Sequence, residues 1–308
     1  CWGPAVDLSV TPVRDTVVEV ACGQPTCYAV TVSGTISPVG KASLLLTNPS
    51  LIDVQRGELW QDAATSANGK YAYVVVYGGF IVVSDAYGAV TSWRHRESRR
   101  TWVRVSCSAD GRIVLASTLG GNLYYSADYG ETWSPQDTPR LWSNALALSG
   151  DGSMGVASDY DARSGVGTLF LSVPRYAAWV PIPEMKRAWG SVALSYDGST
   201  GIAGVTNGTL WRIDTATMRV IDDLTPTRGM WQALAMSANG SVVLASQADA
   251  VQWIVGNLTL STDGGRTWRV VAIPDVWLRV AVSHDGQRLL AISLTGNIIA
   301  SYNGGTRW

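Results

Sequence analysis

The sequence predicts an all-β protein, a β-propeller of short antiparallel strands. Three observations predict it: a pattern that recurs with a mean period of about 43 residues, Asp-Gly or Asn-Gly turns at a fixed place in most recurrences, and no sustained 3.6-residue apolar period. Asp-Gly and Asn-Gly form tight hairpin turns because these residues tolerate positive φ. Four short strands in about 43 residues is the length of one propeller blade.

The recurring pattern is Trp-x5-Ser-x-[Asp/Asn]-Gly. In each copy the Trp opens a short apolar strand that runs to the Ser, a second apolar strand follows the turn, and two more strands lead to the next Trp. We therefore expect a four-stranded blade from each copy. The copies begin at Trp60, Trp102, Trp142 (with one residue inserted), Trp189, Trp231 and Trp277.

The number of blades depends on the two ends of the chain. Residues 14–58 alternate like strands without the Trp pattern, which is long enough for one degenerate blade. The last copy stops before its fourth strand, and residues 1–13 would supply a closing strand that removes two exposed sheet edges. The prediction is one domain, 1–308, of seven four-stranded blades closed by the N- and C-terminal segments, with six or eight blades as alternatives. The repeat blades would span 59–100, 101–140, 141–187, 188–229, 230–275 and 276–308.

The composition of the chain excludes several classes of binding partner. The net charge of −1 argues against general binding to nucleic acid, which rests on excess positive charge. The longest apolar runs fall short of the ~20 residues of a membrane-spanning helix. No Cys or His has zinc-binding spacing, so neither a metal nor a cofactor is expected. The basic stretch 94–100, "RHRESRR", predicts a solvated loop, with a docking patch for an acidic partner as the alternative.

The four cysteines indicate an oxidising compartment. An even number is compatible with two disulfides, and a bond between Cys22 and Cys27 would close a short loop around a proline. Cys1 and Cys107 are the remaining candidates, although Cys1 would instead carry lipid if the chain were a bacterial lipoprotein. The sequence begins at Cys1 without an initiator Met, so we expect a processed or trimmed chain from which any signal peptide has been removed. We therefore expect an extracellular or cell-surface protein.

Two segments share the pattern Ser-x-Asp-x-Gly-x-Thr-Trp, and a third, from Ser301 to Trp308, departs from it at Asn303 and by the swapped order of Thr306 and Arg307. The segments resemble the Asp-box, also called the bacterial neuraminidase repeat, and so the chain is similar to the Asp-box β-propeller superfamily without matching one family within it. The resemblance implies that each box forms the turn between the third and fourth strands of a blade, on the rim, with a structural role. The two full copies consist of Ser126, Asp128, Gly130 and Trp133, and of Ser261, Asp263, Gly265 and Trp268.

Asp-box propellers include sialidases, endoglucanases, receptors and assembly factors, and the fold does not choose among them. The Arg-Ile-Pro signature of sialidases is absent, and at least five Asp residues occupy turns. Most glycosidases need two carboxylates across the scissile bond. The sequence therefore favours a non-catalytic protein. The enzymatic alternative requires carboxylates of the loops 158–167 and 246–257 to lie about 5–9 Å apart.

Propeller geometry puts the loop that enters the first strand and the loop between the second and third strands on one face. The six repeat Trp residues lie there, either wedged between blades or exposed for stacking on sugar rings. The predicted function is a recognition or assembly module that binds a glycan or a protein; the alternatives are a glycoside hydrolase and a structural subunit or assembly factor, and the oligomeric state is open. The candidate ligand-binding residues are Trp253, Asp249, Asp159, Tyr160, Asp161, Arg163, Arg104 and Arg279.

Overall fold

The structure is a computed structural model. From residue 59 to 308 it describes the chain except 173–175, 177, 183–185, 225–227, 249–255, 272–273 and 296, and it describes 90, 137–138, 143–144 and 222 by their backbone alone. Before residue 59 it describes the backbone of three strands only. The predicted closing segment, 1–13, lies outside the described residues.

The described chain is all-β, which confirms the predicted class. Val90–Ser92 forms a 3₁₀ turn, and no helix in the described part has the length and apolar character to cross a membrane. The strands are β1 (Val17–Cys22), β2 (Cys27–Thr31), β3 (Ile36–Val39), β4 (Leu59–Thr65), β5 (Ala72–Ser84), β6 (Arg94–Cys107), β7 (Val114–Ser126), β8 (Ser134–Leu148), β9 (Gly155–Asp159), β10 (Leu169–Ser172), β11 (Trp179–Pro181), β12 (Trp189–Leu194), β13 (Thr200–Val205), β14 (Leu210–Asp214), β15 (Arg219–Asp223), β16 (Met230–Met236), β17 (Val243–Ala248), β18 (Asn257–Ser261), β19 (Arg269–Val270), β20 (Trp277–Val282), β21 (Leu289–Ser293) and β22 (Ile298–Ser301).

The strands pair in chain order, always antiparallel. β1 to β3, β12 to β15, β16 to β19 and β20 to β22 form separate sheets, and β4 to β11 form one continuous sheet of eight strands. Among the described residues no ladder closes on itself. Consecutive pairing of neighbouring strands is what short hairpin turns impose.

The two longest second strands each reverse at a pair of glycines. In β5, Gly78 has a φ of +73°, and a Cβ on Gly79 would stand 2.6 Å from Val76 Cγ1. Residues three apart in an extended strand cannot approach so closely, so the chain folds back there. β7 reverses in the same way at Gly120 and Gly121. Each of these strands therefore serves as the second and third strands of a four-stranded unit.

β6 and β8 instead run from one unit into the next. Arg94 to Thr101 pair with β5, and Trp102 to Cys107 pair with β7. The eight-stranded sheet is therefore three units joined by continuous strands. The basic stretch 94–100 lies in β6, so the predicted solvated loop is wrong: its residues are the last strand of a unit, held by the ladder to β5.

The first strand of each unit lies beside the first strands of its neighbours. β4 contacts β6, β6 contacts β8, and the series continues through β12, β16 and β20. The backbone of β1 contacts both β20 and β4. Each unit therefore buries one face against the unit before it and one against the unit after it.

All six repeat Trp residues are buried, with 0–4% of their surface exposed. The ladder to the second strand shifts register directly after each Trp, as at a β-bulge. A bulge increases the local twist and re-aims a side chain, which turns the indole into the space between units. The wedge interpretation agrees with this burial, and none of the six rings offers an exposed face to a sugar.

The Ser-x-[Asp/Asn]-Gly hairpins share one hydrogen-bond network. In one of them, Ser108 Oγ donates to Asp110 Oδ1 at 2.5 Å and accepts the N–H of Ile113 at 3.0 Å, while Asp110 Oδ1 accepts the N–H of Arg112 at 2.9 Å. The same bonds recur in the other five hairpins. The Ser and the acid or amide thus satisfy the backbone that the tight turn leaves unpaired.

Backbone hydrogen bonds also join each hairpin to the next. The N–H of Ala67 donates to Ala109 O at 2.7 Å, and the N–H of Ala109 donates to Gly150 O at 2.7 Å. In the fourth and fifth units, Tyr196 donates to Ala238 O at 2.7 Å and Ala238 to His284 O at 2.9 Å. Between the third and fourth hairpins the donor is instead the N–H of Asp151, which bonds to Tyr196 O. The hairpins therefore form a belt at one end of the units.

The turn from Ser126 to Trp133 is a closed network. Asp128 Oδ1 accepts Ser126 Oγ at 2.8 Å and the Thr132 N–H at 2.9 Å, and Thr132 Oγ1 donates to Asp128 Oδ2 at 2.5 Å. Ser126 Oγ accepts the Gly130 N–H, and the Trp133 indole donates to Gly130 O, both at 2.9 Å. The polar side chains of Ser126, Asp128, Thr132 and Trp133 all bond within the turn, so the turn is a structural corner.

The turn at Ser261 repeats this network and docks on the preceding unit. Gly265 has a φ of +88°, and a Cβ there would stand 3.1 Å from both Ile202 Cδ1 and Leu224 Cδ1. In the third copy Asn303 replaces the Asp and still accepts Ser301 Oγ at 3.0 Å. The pattern therefore links a corner to a contact between units.

We expect Gly265→Ala to destabilise the protein more than Gly264→Ala. Both glycines have positive φ, which costs an alanine roughly 1–2 kcal/mol. Only Gly265 faces packed side chains; a Cβ on Gly264 meets just Gly240 O, at 3.5 Å. Overpacking should therefore cost Gly265→Ala about 1 kcal/mol more. Urea unfolding measures both losses, and equal losses would refute the docking of this turn on Ile202 and Leu224.

The turn at Asp263 should lose stability in acid. Hydrogen bonds from the Thr267 hydroxyl and N–H and from Ser261 hold the pKa of Asp263 well below its usual value. Because the folded pKa is lower than the unfolded one, this contribution is complete above about pH 4–5 and is lost as the pH falls further. We expect Asp263→Asn, which copies the turn at Asn303, to lose less stability than the parent between pH 7 and pH 3. Urea midpoints at both pH values test this, with Asn303→Asp as the reverse control; an unchanged pH dependence in both variants would contradict it.

Candidate functional site

The candidate residues belong to the end of the units at which the repeat Trp residues begin the first strands, here called the Trp face. The opposite end, which carries the Ser-x-[Asp/Asn]-Gly hairpins, is called the hairpin face. Because the strands are antiparallel, the connections between second and third strands also lie at the Trp face. Asp249 and Trp253 lie in one of these connections, outside the described residues.

The carboxylates of the other long connection, between β9 and β10, stabilise that loop. Asp161 Oδ1 accepts the Arg163 N–H at 2.9 Å, and this bond is the main reason that the pKa of Asp161 is lowered. Asp159 Oδ1 accepts the Thr168 N–H at 2.6 Å, and its Oδ2 lies 3.7 Å from Arg140 Nη1. Both acids thus have structural partners within or beside the loop.

Two residues of the same connection remain accessible. Tyr160 is 43% exposed, and Arg163, three residues further along the chain, is also exposed. The Tyr160 N–H donates to Leu141 O at 2.7 Å, which anchors the loop to the start of the adjacent first strand. Tyr160 therefore presents its ring on the Trp face from a fixed backbone position.

Arg104 and Arg279 lie on first strands, in contact with neighbouring groups. Arg104 Nη1 stands 3.8 Å from Asp62 Oδ1, and Asp62 Oδ2 accepts the Val105 N–H at 2.8 Å. Only 14% of the Arg104 side chain is exposed. Arg279 Nη1 donates to the carbonyl of Leu278 at 3.0 Å. Arg104 and Asp62 join two adjacent first strands, so Arg104 has a structural partner in place.

A second set of arginines occupies one repeat position, two residues before the Trp. Each of these residues lies opposite a glycine of its own unit: Gly79, Gly121 and Gly167. The spacing is visible in the sequence before Trp102, Trp142 and Trp189, and would have identified them. They are Arg100, Arg140 and Arg187, here called the arginine row.

Each guanidinium of the arginine row stacks on an aromatic ring of the following unit. Arg100 lies 4.6 Å from the centroid of Tyr124, Arg140 lies 4.7 Å from that of Phe170, and Arg187 lies 4.5 Å from that of Trp211. The three Nε atoms are buried. Stacking of this kind is worth about 0.5–2 kcal/mol and holds the side chain in one rotamer. The row therefore places three oriented cations along adjacent units.

The row is only partly neutralised. Arg100 pairs with Glu97 at 3.0 Å, and Arg140 approaches Asp159. In the part of the chain that the structure describes, no carboxylate lies within 4.0 Å of Arg187. Both Arg100 and Arg140 keep more than a third of their side chains exposed. Exposed basic residues directly precede two members of the row in the sequence, Arg99 before Arg100 and Lys186 before Arg187.

The hairpin face opens into a cavity of about 210 Å³ between the units. Its wall repeats one position, five or six residues after each Trp, and is mainly apolar. On its rim the Tyr196 and His284 rings meet edge to face at 5.1 Å. Cys107 lines it as a free thiol, and burial raises the pKa of that thiol. The described residues hold no cluster with metal-binding composition, here or elsewhere. The repeated wall residues are Thr65, Cys107, Leu148, Leu194, Met236 and Val282.

Comparisons with known proteins agree on the fold. No protein-family model matches the chain, and no curated protein matches it. Among solved structures it is similar to YCF48 bound to D1 peptide, with a TM-score of 0.66 and 16% identity over 95% of this chain and 93% of that one. It is also similar to the Cps50 (Swd1) β-propeller domain of Myceliophteria thermophila, with a TM-score of 0.72 and 12% identity over 95% of this chain and 99% of that one. At these identities the likeness carries the fold alone. The chain folds as a β-propeller.

Proposed function

We propose that this β-propeller is a non-catalytic protein-recognition or assembly module, and that its Trp face binds an acidic segment of a partner. The observation that carries the proposal is the arginine row. Guanidinium groups bind carboxylates through two parallel hydrogen bonds, and arginine is enriched at protein interfaces. Three such groups, fixed in line on adjacent units, match an extended row of carboxylates.

Stacking on Tyr124, Phe170 and Trp211 also strengthens the contacts between units, and this structural role is compatible with binding. The rings hold one side of each guanidinium and leave part of the side chain accessible. A side chain already held in its rotamer loses less entropy when a ligand arrives. The row is therefore suited to bind carboxylates without reorganisation.

The similar solved structures support this choice by analogy of fold. YCF48 is a protein bound to a peptide in its structure, so a propeller of this size can hold a peptide. The sites on this chain must come from its own residues. Its described Trp face offers arginines and exposed apolar side chains, which are typical of protein interfaces.

We further propose that the domain comprises seven blades with the boundaries given above, that 1–13 completes the last one, and that the turns at Ser126 and Ser261 are Asp-boxes. The contacts of β1 with both β20 and β4 support the seven-bladed ring. The hydrogen bonds within the two turns support the Asp-box assignment. A closed ring removes the sheet edges that would otherwise be exposed.

The alternatives have less support. A glycan site would need exposed aromatic faces. The repeat Trp residues are buried, which leaves the exposed Tyr77 and Tyr160 and the sequence candidate Trp253. A hydrolase would need two carboxylates free to act, and Asp159 and Asp161 serve the β9–β10 loop. A glycan array run with the parent chain and Trp253→Ala separates these possibilities: selective binding that the variant loses would establish the glycan alternative.

We propose an extracellular or cell-surface location, with a disulfide between Cys22 and Cys27. These residues are directly opposite each other in the β1–β2 ladder, at a Cα separation of about 4.5–5.5 Å in such pairs, which suits a disulfide. Disulfides persist in oxidising compartments.

We expect peptide mapping of protein from an oxidising host to find Cys22 and Cys27 linked before reduction. Cys107, a free thiol in the structure, is the internal control and should react with an alkylating reagent once the protein is unfolded. Alkylation of Cys22 and Cys27 without prior reduction would contradict both the disulfide and the proposed location.

We expect Arg187→Gln and Arg140→Gln each to weaken binding of a fluorescent poly-glutamate peptide by about ten-fold, the value of one charge-assisted hydrogen-bonded contact. Fluorescence anisotropy measures the affinity, which should fall as salt is raised. Arg266→Gln, in the turn at Ser261 on the hairpin face, is the matched control and should bind like the parent. Thermal unfolding checks that each variant is folded. Equal affinities for all three variants would show that the row is not the site.

A further inference from the structure

Large apolar side chains are exposed together on the Trp face of the units formed by β4 to β11. They share two repeat positions. One is the residue directly before the Trp, and the other is the residue directly after the one that pairs with the Trp in the ladder. Each is between 38% and 60% exposed. They are Leu59, Tyr77, Leu119, Leu141 and Tyr160, here called the apolar arc.

The apolar arc is continuous through the ladders. Leu59 lies opposite Tyr77, and Leu119 lies opposite Leu141. Tyr160 is bonded through its N–H to Leu141 O. Thr101 joins the two halves, because it lies opposite Tyr77 and its hydroxyl donates to Leu119 O at 2.8 Å. Five large apolar groups therefore follow one line across three adjacent units.

The same positions are different in the other units. Before the Trp they hold Ala188, a buried Met230 and a half-buried Val276; at the other position they hold Thr206, a buried Ala248 and Leu294. Leu294, 52% exposed, stands without the others. A repeated scaffold would repeat a structural solution in every unit, so the arc is a local feature. Contiguous exposed apolar side chains on a soluble fold mark interaction sites.

The arc lies beside the arginine row. Arg100 directly precedes Thr101, and Arg140 directly precedes Leu141, in the same strands that carry the arc. A Cβ built on Gly120 would lie 3.8 Å from Leu141 Cδ2. The next residue, Gly121, lies opposite Arg140 in the ladder. Cations and apolar groups therefore lie next to each other at the Trp-face ends of the same strands.

We infer that the apolar arc and the arginine row form one docking surface for an amphipathic acidic segment of a partner protein. Apolar side chains of the segment would cover the arc, and its carboxylates would pair with the row. Removing the arc from water supplies a favourable free energy that charge pairing alone lacks at a salt-screened surface. Because the arginine row is positively charged, we infer that the partner segment is acidic. This inference rests on the proposed function and adds the apolar half of the recognition.

The test compares two labelled peptides of equal charge, one composed of Glu, Ser and Leu and the other with every Leu replaced by Ser. We expect the Leu peptide to bind the parent chain about ten-fold more tightly in fluorescence anisotropy, since each buried Leu removes apolar area from water. Leu119→Ser and Leu141→Ser should abolish this preference and leave binding of the Ser peptide unchanged. Leu294→Ser, equally exposed and outside the arc, is the matched control and should keep the preference.

The outcomes separate this inference from the proposed function. If both peptides bind equally and Arg187→Gln weakens both, the acidic partner stands and the apolar inference fails. If neither peptide binds, the proposed function fails with it. A preference that survives Leu119→Ser and Leu141→Ser also overturns the inference. Binding to vesicles rich in phosphatidylserine, in place of either peptide, would assign the surface to a membrane and overturn both.

Discussion

The structure depends on satisfying the free edge of each unit's first strand. A first strand pairs with a second strand on one side only, and its remaining N–H and C=O groups face the neighbouring units. Unpaired backbone groups away from water are costly. Asp62 meets this requirement for Val105, Ser106 Oγ accepts the N–H of Leu148 at 3.0 Å, and Ser191 Oγ donates to Trp231 O at 3.1 Å.

The hairpin belt extends the same solution to the ends of the first strands. There the backbone of one turn bonds to the backbone of the next, so these bonds do not involve the side chain between Ser and Asp or Asn. Small residues at that position leave the cavity open, and the Tyr196 ring occupies the space above Gly150, where a Cβ would collide with it. The backbone at both faces therefore keeps the same conformation with different side chains. A rigid repeated framework can then carry different chemistry in different units.

The arginine row and the apolar arc illustrate this freedom. At the position two residues before the Trp, the described units carry Arg100, Arg140, Arg187, Gly229 and Asp275 on equivalent backbone. Asp275 at this position hydrogen-bonds to Thr295 and Asn297 of the following unit, whereas the arginines reach the following unit by stacking on an aromatic ring. One half of the Trp face is therefore cationic and apolar. A recognition surface on a repeated fold needs such a difference between otherwise equivalent units.

Local chemistry in the sequence determined the all-β class, the repeat period and the hairpin turns, because Ser, Asp and Gly close those turns through bonds within a few residues. It also indicated the corners at Ser126 and Ser261, for the same reason. Only the tertiary structure decided which side chains share a surface. The stretch 94–100 has the composition of a loop, yet pairing with β5 makes it a strand; Arg104, a plausible ligand contact from its spacing, meets Asp62 of the adjacent strand. The row and the arc join residues from three units, and no local pattern specifies such proximity, since it arises from the packing of one unit against the next.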